Sequence, residues 1–157
     1  MSGRPIAFGC ALALLAVAAV SPRAAQAQRA LKVYISVDME GITGVVSSDQ
    51  LGPTSFEYQR AREWMTGEAL AAIQGARDAG ATEIVVSDSH GNGENLLIDQ
   101  FPDDITIVRS WPRPNMMMEG VDSSFAAAVF IGYHSGTSNV KGVRAHTMSS
   151  ATLTGVK

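Results

Sequence analysis

A chain of 157 residues with 12 basic and 15 acidic side chains carries a net charge of −3, and its basic residues are scattered, with Arg109 and Arg113 the nearest approach to a cluster. Such a charge pattern speaks against nucleic acid as a partner. The single cysteine, Cys10, permits no internal disulfide and lies in a segment expected to be discarded, so any metal must be held by nitrogen and oxygen donors.

The first element is a leader. Met1 to Pro5 carries Arg4, Ile6 to Val20 is continuously apolar or small, and Ala25-Gln26-Ala27 supplies a small-x-small cleavage site. That is the pattern of a secretory signal peptide over residues 1–27. Its apolar run is shorter than the roughly 20 residues that cross a bilayer. Cleavage after Ala27 is expected to leave a secreted or periplasmic product beginning at Gln28, with no membrane attachment. Residues 28–157 suffice for one domain with its own core.

Leu31 to Val37 predicts the first strand, with Asp38 and Glu40 directly after it. Gly41 to Pro53 is rich in Gly, Ser and Thr and predicts a long loop, ending where Pro53 and Thr54 suit the opening of a helix. From Ser55 to Ala79 the period changes: Ala61, Trp64, Met65, Ala69, Ala72, Ile73 and Ala76 recur at steps of three and four, with Arg60, Arg62, Glu63, Gln74 and Arg77 on much of the other face. An amphipathic helix ending at Gly80 follows from that spacing. Glu83 to Ser87 predicts the next strand, which makes a right-handed βαβ unit with parallel strands.

Ile105 to Val108 predicts a third strand, and Ala126 to Tyr133 a fourth, entered from a polar stretch, Glu119 to Ser124, expected as a short helix. Val143 to Leu153 is strand-like or loop around His146. The expected fold is α/β, three-layered with a mostly parallel sheet, and incomplete at the C-terminus. One long helix cannot cover both faces of such a sheet. A partner chain or sequence beyond Lys157 is expected to cover the rest.

The carboxyl ends of parallel strands share one edge, where ligands bind. Asp38 and Glu40, His90 and His134 all fall at such ends, and the chain has only three histidines. If the strand runs on through them, Asp38 and Glu40 leave the same face. Like charges that close call for a cation. Imidazole nitrogen with carboxylate oxygen suits zinc, with manganese or cobalt as alternatives. Placement alone leaves two readings of equal weight, a divalent metal site or a set of solvated and hydrogen-bonded strand ends.

Other readings of these segments are weaker. Asp88-Ser89-His90 holds the residue types of a catalytic triad, but neighbours in sequence rarely have its geometry and no Gly-x-Ser-x-Gly elbow accompanies them. The glycines after His90 have neither phosphate-loop spacing nor a following lysine. Met116-Met117-Met118 reads as adaptable packing or pocket lining, and Trp64 as core.

Ser36-Val37-Asp38-Met39-Glu40-Gly41, Asp88-Ser89-His90, Met118-Glu119-Gly120, Gly132-Tyr133-His134 and His146-Thr147-Met148 occur in that order between about Leu31 and Lys157. The series resembles the zinc D-aminopeptidases of the DppA type. The resemblance implies a two-zinc peptidase that releases N-terminal D-amino acids from short peptides in a ring-like homo-oligomer. It implies that Asp38 bridges both ions, that Glu40 and His134 hold one and His90 the other, and that His146 is the catalytic group beside them. Asp88 is then expected to orient His90.

In that family a further glutamate ligand lies downstream of the matched segment, so residues 28–157 are expected to be the N-terminal portion of the peptidase domain. The loop between His134 and His146 is slightly longer than in the family pattern. Export makes peptidoglycan-derived peptides, rich in D-alanine, the expected substrate class. The alternatives are a noncatalytic metal-binding protein or a metal-dependent hydrolase of another bond, such as a phosphoesterase.

Overall fold

The computed structural model describes residues 31–147. The expected signal peptide, and the part of the Val143–Leu153 segment beyond Thr147, lie outside the described residues. Within them the chain forms strands β1 (Lys32–Val37), β2 (Glu83–Asp88), β3 (Thr106–Val108) and β4 (Ala127–Ile131), with one long helix, α1 (Tyr58–Asp78). The sheet order is β3-β2-β1-β4 and every pairing is parallel. The α/β architecture and the βαβ unit are thus those expected.

Alternation along β1 sorts its side chains onto two different surfaces. Val33, Ile35 and Val37 point to α1 and join Met65, Ala69, Ile73, Ile84 and Val86 in the core. Ala61, Met65, Ala69 and Ile73 recur every fourth residue and are almost wholly buried, which is the stripe that seats the helix. Trp64 lies only partly buried at the rim of that core rather than inside it.

On the opposite face Tyr34 is fully buried beneath the segment that leads into β4. Its hydroxyl donates to the Glu119 carbonyl at 2.8 Å and its ring meets Phe125 edge-on. Among the described residues this segment, rather than a second long helix, covers that face of β1.

Three departures from the sequence expectation exceed a single residue. The helix begins at Tyr58 rather than Ser55, because residues 52–57 close two turns of their own, Ser55 N–H to Gly52 O and Tyr58 N–H to Ser55 O. Tyr58 is the first side chain there with a buried site, and its hydroxyl reaches Asn95 Oδ1 at 2.6 Å. Glu119–Ser124 forms turns rather than a helix, and the only helical turn nearby is a short 3-10 turn at Met116–Met118. β4 stops at Ile131 rather than Tyr133, since Gly132 adopts a positive φ of 66°.

No helix of the described residues is long and apolar enough to cross a membrane.

Candidate metal centre

The strand ends place the site. Asp38 follows β1 and extends its pairing with β4 by one bond, its N–H donating to Ile131 O at 2.9 Å. β1 itself ends at Val37, so strand alternation is not what brings Glu40 beside Asp38. A tight turn closed by Ile42 N–H to Met39 O does so instead. That turn presses against the one after β4: Gly41 N–H donates to Gly132 O at 2.7 Å. A Cβ on Gly41 would lie 2.4 Å from Tyr133 O, and one on Gly132 would lie 2.1 Å from Asp38 O. Only glycine lets the two backbones meet this closely.

His90 enters from β2, through Ser89 N–H to Val37 O at 2.8 Å. Its Nδ1 lies 3.2 Å from Asp38 Oδ1 and 3.0 Å from Glu40 Oε2. The other oxygens of the pair face the remaining histidines. His134 Nε2 is 3.6 Å from Asp38 Oδ2, and His146 Nε2 is 3.7 Å from Glu40 Oε1. The rings of His134 and His146 are stacked, 3.6 Å between centroids. One atom from each of Asp38, Glu40 and His90 falls within 4.8 Å of the others, and the same holds for Glu40, His134 and His146. All five singled-out residues therefore converge on one cluster.

Each histidine also has its second nitrogen on a backbone carbonyl. His90 Nε2 bonds Leu51 O at 2.8 Å, His134 Nδ1 bonds Ser135 O at 3.0 Å, and His146 Nδ1 bonds Arg144 O at 2.7 Å. A carbonyl only accepts, so these nitrogens carry the hydrogens. In the neutral ring the lone pair is then left on the nitrogen that faces the carboxylates, the arrangement typical of metal-binding histidines. With two carboxylates and three such imidazoles, the donor set fits a divalent cation of the zinc type.

Electrostatics point the same way. Asp38 and Glu40 are almost completely buried, and among the described residues neither pairs with a lysine or arginine. Burial raises the Asp38 pKa, and the neighbouring Glu40 adds to the rise. Burial also opposes ionisation of Glu40, but hydrogen bonds from His90 and Asp38 and the His90 charge outweigh it, bringing its pKa to about 2. For His90, burial disfavours the charged ring, yet the bonds to Asp38 and Glu40 prevail and raise its pKa to about 10. A protonated imidazole is thus the local counter-charge, and a bound cation would take over that role while releasing its proton.

Two readings of the His90 segment fail on geometry. Ser89 Oγ bonds Ser36 Oγ and Met117 O, away from the His90 ring, so no triad forms. Asp88 does not orient that ring either. Its carboxylate accepts from the N–H groups of Asn95 and Leu96 and from the Asn95 amide, which in turn donates to His90 O at 2.6 Å. It shapes the loop, while Leu51 O holds the ring. The three orienting carbonyls had no sequence signal, since any residue supplies one. Met116–Met118 contributes the Met117 carbonyl, which accepts from Ser89 Oγ and lies 3.0 Å from Ser36 Oγ.

Beside Glu40 and His134 opens a cleft of about 330 Å³, whose apolar wall is Ile42, Val45, Val46 and Val143.

Comparison with known proteins adds three findings. The family model described as D-aminopeptidase matches residues 31–157. The D-aminopeptidase of Bacillus subtilis (strain 168) is 37% identical over 118 residues, which are 75% of this chain and 43% of that relative. The solved structure of the Zn-dependent D-aminopeptidase DppA from Bacillus subtilis, described as a self-compartmentalizing protease, superposes with a TM-score of 0.73 at 36% identity, covering 76% of this chain and 43% of that one. The chain spans less than half the length of either relative.

Proposed function

This chain belongs to the D-aminopeptidase family, and from that premise we propose that it carries the metal-holding part of an exported zinc aminopeptidase acting on peptides with an N-terminal D-residue. The observation that carries this reading is Asp38, whose two oxygens face His90 and His134 respectively. Asp38 would be shared by two zinc ions, one held also by Glu40 and His134 and the other by His90. Zinc, when bound, supplies Lewis-acid polarisation of a carbonyl and a more acidic water.

The protein's own groups do the rest. His146 holds its Nδ1 hydrogen on Arg144 O and keeps Nε2 free, on a side chain 42% exposed. It accepts a proton at Nε2 from the attacking water and returns it to the leaving amine nitrogen. The cleft beside Glu40 and His134 receives the side chain of the N-terminal residue, and its valine and isoleucine walls suit an aliphatic one. The signal-peptide pattern of residues 1–27 supports export, and with it peptidoglycan-derived peptides as substrates. A homo-oligomer is supported by the self-compartmentalizing relative.

The test is release of D-alanine from D-alanyl peptides by zinc-loaded protein that spans the family's full peptidase domain, with L-alanyl peptides and phosphate esters in parallel. Hydrolysis confined to the D-peptides, lost with a chelator and restored by zinc, is the expected result. Hydrolysis of phosphate esters alone would replace the peptidase reading.

A further inference from the structure

We propose that a chain of buried hydroxyls behind the metal centre, running from Tyr133 through Ser36 and Ser89 to the Met117 carbonyl, fixes the spacing of the ligand-bearing turns, and that Tyr133 is a positioning residue for the metal. The proposal rests on the metal-centre reading above. Its geometry is continuous: Tyr133 Oη to Ser36 Oγ is 2.8 Å, Ser36 Oγ to Ser89 Oγ 2.6 Å, and Ser89 Oγ to Met117 O 2.9 Å. One proton order satisfies every link, with Tyr133 donating to Ser36, Ser36 to Ser89 and Ser89 to the carbonyl.

Each member adjoins a different ligand. Tyr133 precedes His134, Ser89 precedes His90, and Ser36 stands two residues before Asp38. The strut therefore ties together the ends of β1, β2 and β4. Ser36 and Ser89 are almost fully buried, whereas Tyr133 is 37% exposed at the open end. Ligand-bearing turns that are free to drift apart would weaken binding of a cation. A site held in place beforehand avoids that loss. Tyr34 offers an internal contrast: its hydroxyl on the same sheet face donates to Glu119 O at 2.8 Å and meets the chain only at its far end, 3.4 Å from Met117 O.

The experiment compares Tyr133→Phe with Tyr34→Phe in the full chain, reading zinc affinity by competition with a chromophoric chelator and the visible spectrum of the cobalt-loaded protein. Tyr133→Phe keeps the ring edge-on to Phe130 and removes only the hydroxyl. It is expected to weaken zinc binding by about tenfold or more and to shift the cobalt spectrum. Tyr34→Phe is expected to lower the melting temperature and leave both readouts unchanged. Ser36→Ala breaks the same chain one link later, so adding it to Tyr133→Phe should cost less than the sum of the two.

Wild-type affinity and spectrum in Tyr133→Phe, or equal losses in both tyrosine variants, would overturn the proposal. Failure of the wild-type protein to bind zinc or cobalt would overturn the metal-centre reading instead. Amide exchange at Gly41 and Ser89 in metal-free protein then decides the strut: faster exchange in Tyr133→Phe supports it and unchanged exchange removes it.

Discussion

His90 and His146 serve the same pair of carboxylates from opposite sides, and they are held very differently. The His90 side chain is 6% exposed, contacts Asp38 and Glu40 together, and gives its remaining nitrogen to Leu51 O. The His146 side chain is 42% exposed, stands 3.7 Å from one carboxylate oxygen, and is steadied by Arg144 O and by stacking on His134. A group with every polar atom committed in a buried pocket suits a permanent ligand. One that keeps a nitrogen open toward solvent suits proton traffic.

Substituting the two histidines breaks this contrast most sharply. His90→Ala removes the counter-charge of two buried carboxylates, and is expected to destabilise metal-free protein by about 3 kcal/mol and to lower zinc stoichiometry by the ion that His90 would hold. Chemical denaturation and metal analysis of gel-filtered protein check both effects. A loss below about 1 kcal/mol with zinc binding intact would mean that the buried pair does not need His90.

An intermediate effect is expected where the turns after β1 and β4 touch. Gly132→Ala meets both the positive φ and the Asp38 carbonyl, so a loss of about 2 kcal/mol is expected, with weaker zinc binding because Asp38 is displaced. Thermal melts with and without zinc separate the two contributions. The smallest structural effect belongs to His146→Ala, expected to change stability by about 0.5 kcal/mol or less while peptide hydrolysis disappears. If zinc affinity fell as far in His146→Ala as in His90→Ala, His146 would be a ligand and the contrast would collapse.

The contrast also marks what could be read from the residues. Apolar runs ending at Val37, Ser87 and Tyr133 were enough to put Asp38, Glu40, His90 and His134 at one sheet edge, and the family motifs gave His146 its role. The pairing of Asp38 with Glu40 was legible as a pair but not in its cause, because a turn rather than alternation makes it. The close approach of the two turns, made by Gly41 from one side and Gly132 from the other, appears only in the structure. The carbonyls of Leu51, Ser135, Arg144 and Met117 were invisible, since a backbone acceptor is common to all residues. Asp88 was expected, with the family resemblance, to orient the His90 ring. Its oxygens are instead consumed by Asn95 and Leu96.

The helix boundary was missed for a related reason. Pro53 and Thr54 are good opening residues in isolation, but Phe56 is 93% exposed and gives the first turn nothing to pack on. Burial begins at Tyr58, and the helix begins with it.

The most direct measurement is a zinc-edge anomalous difference map from crystals of the protein grown with zinc. The expected result is density bounded by Asp38, Glu40, His90 and His134, with His146 adjoining it. Zinc located elsewhere, or none at that position at saturating zinc, would contradict the central claim that these strand-end residues form a metal centre.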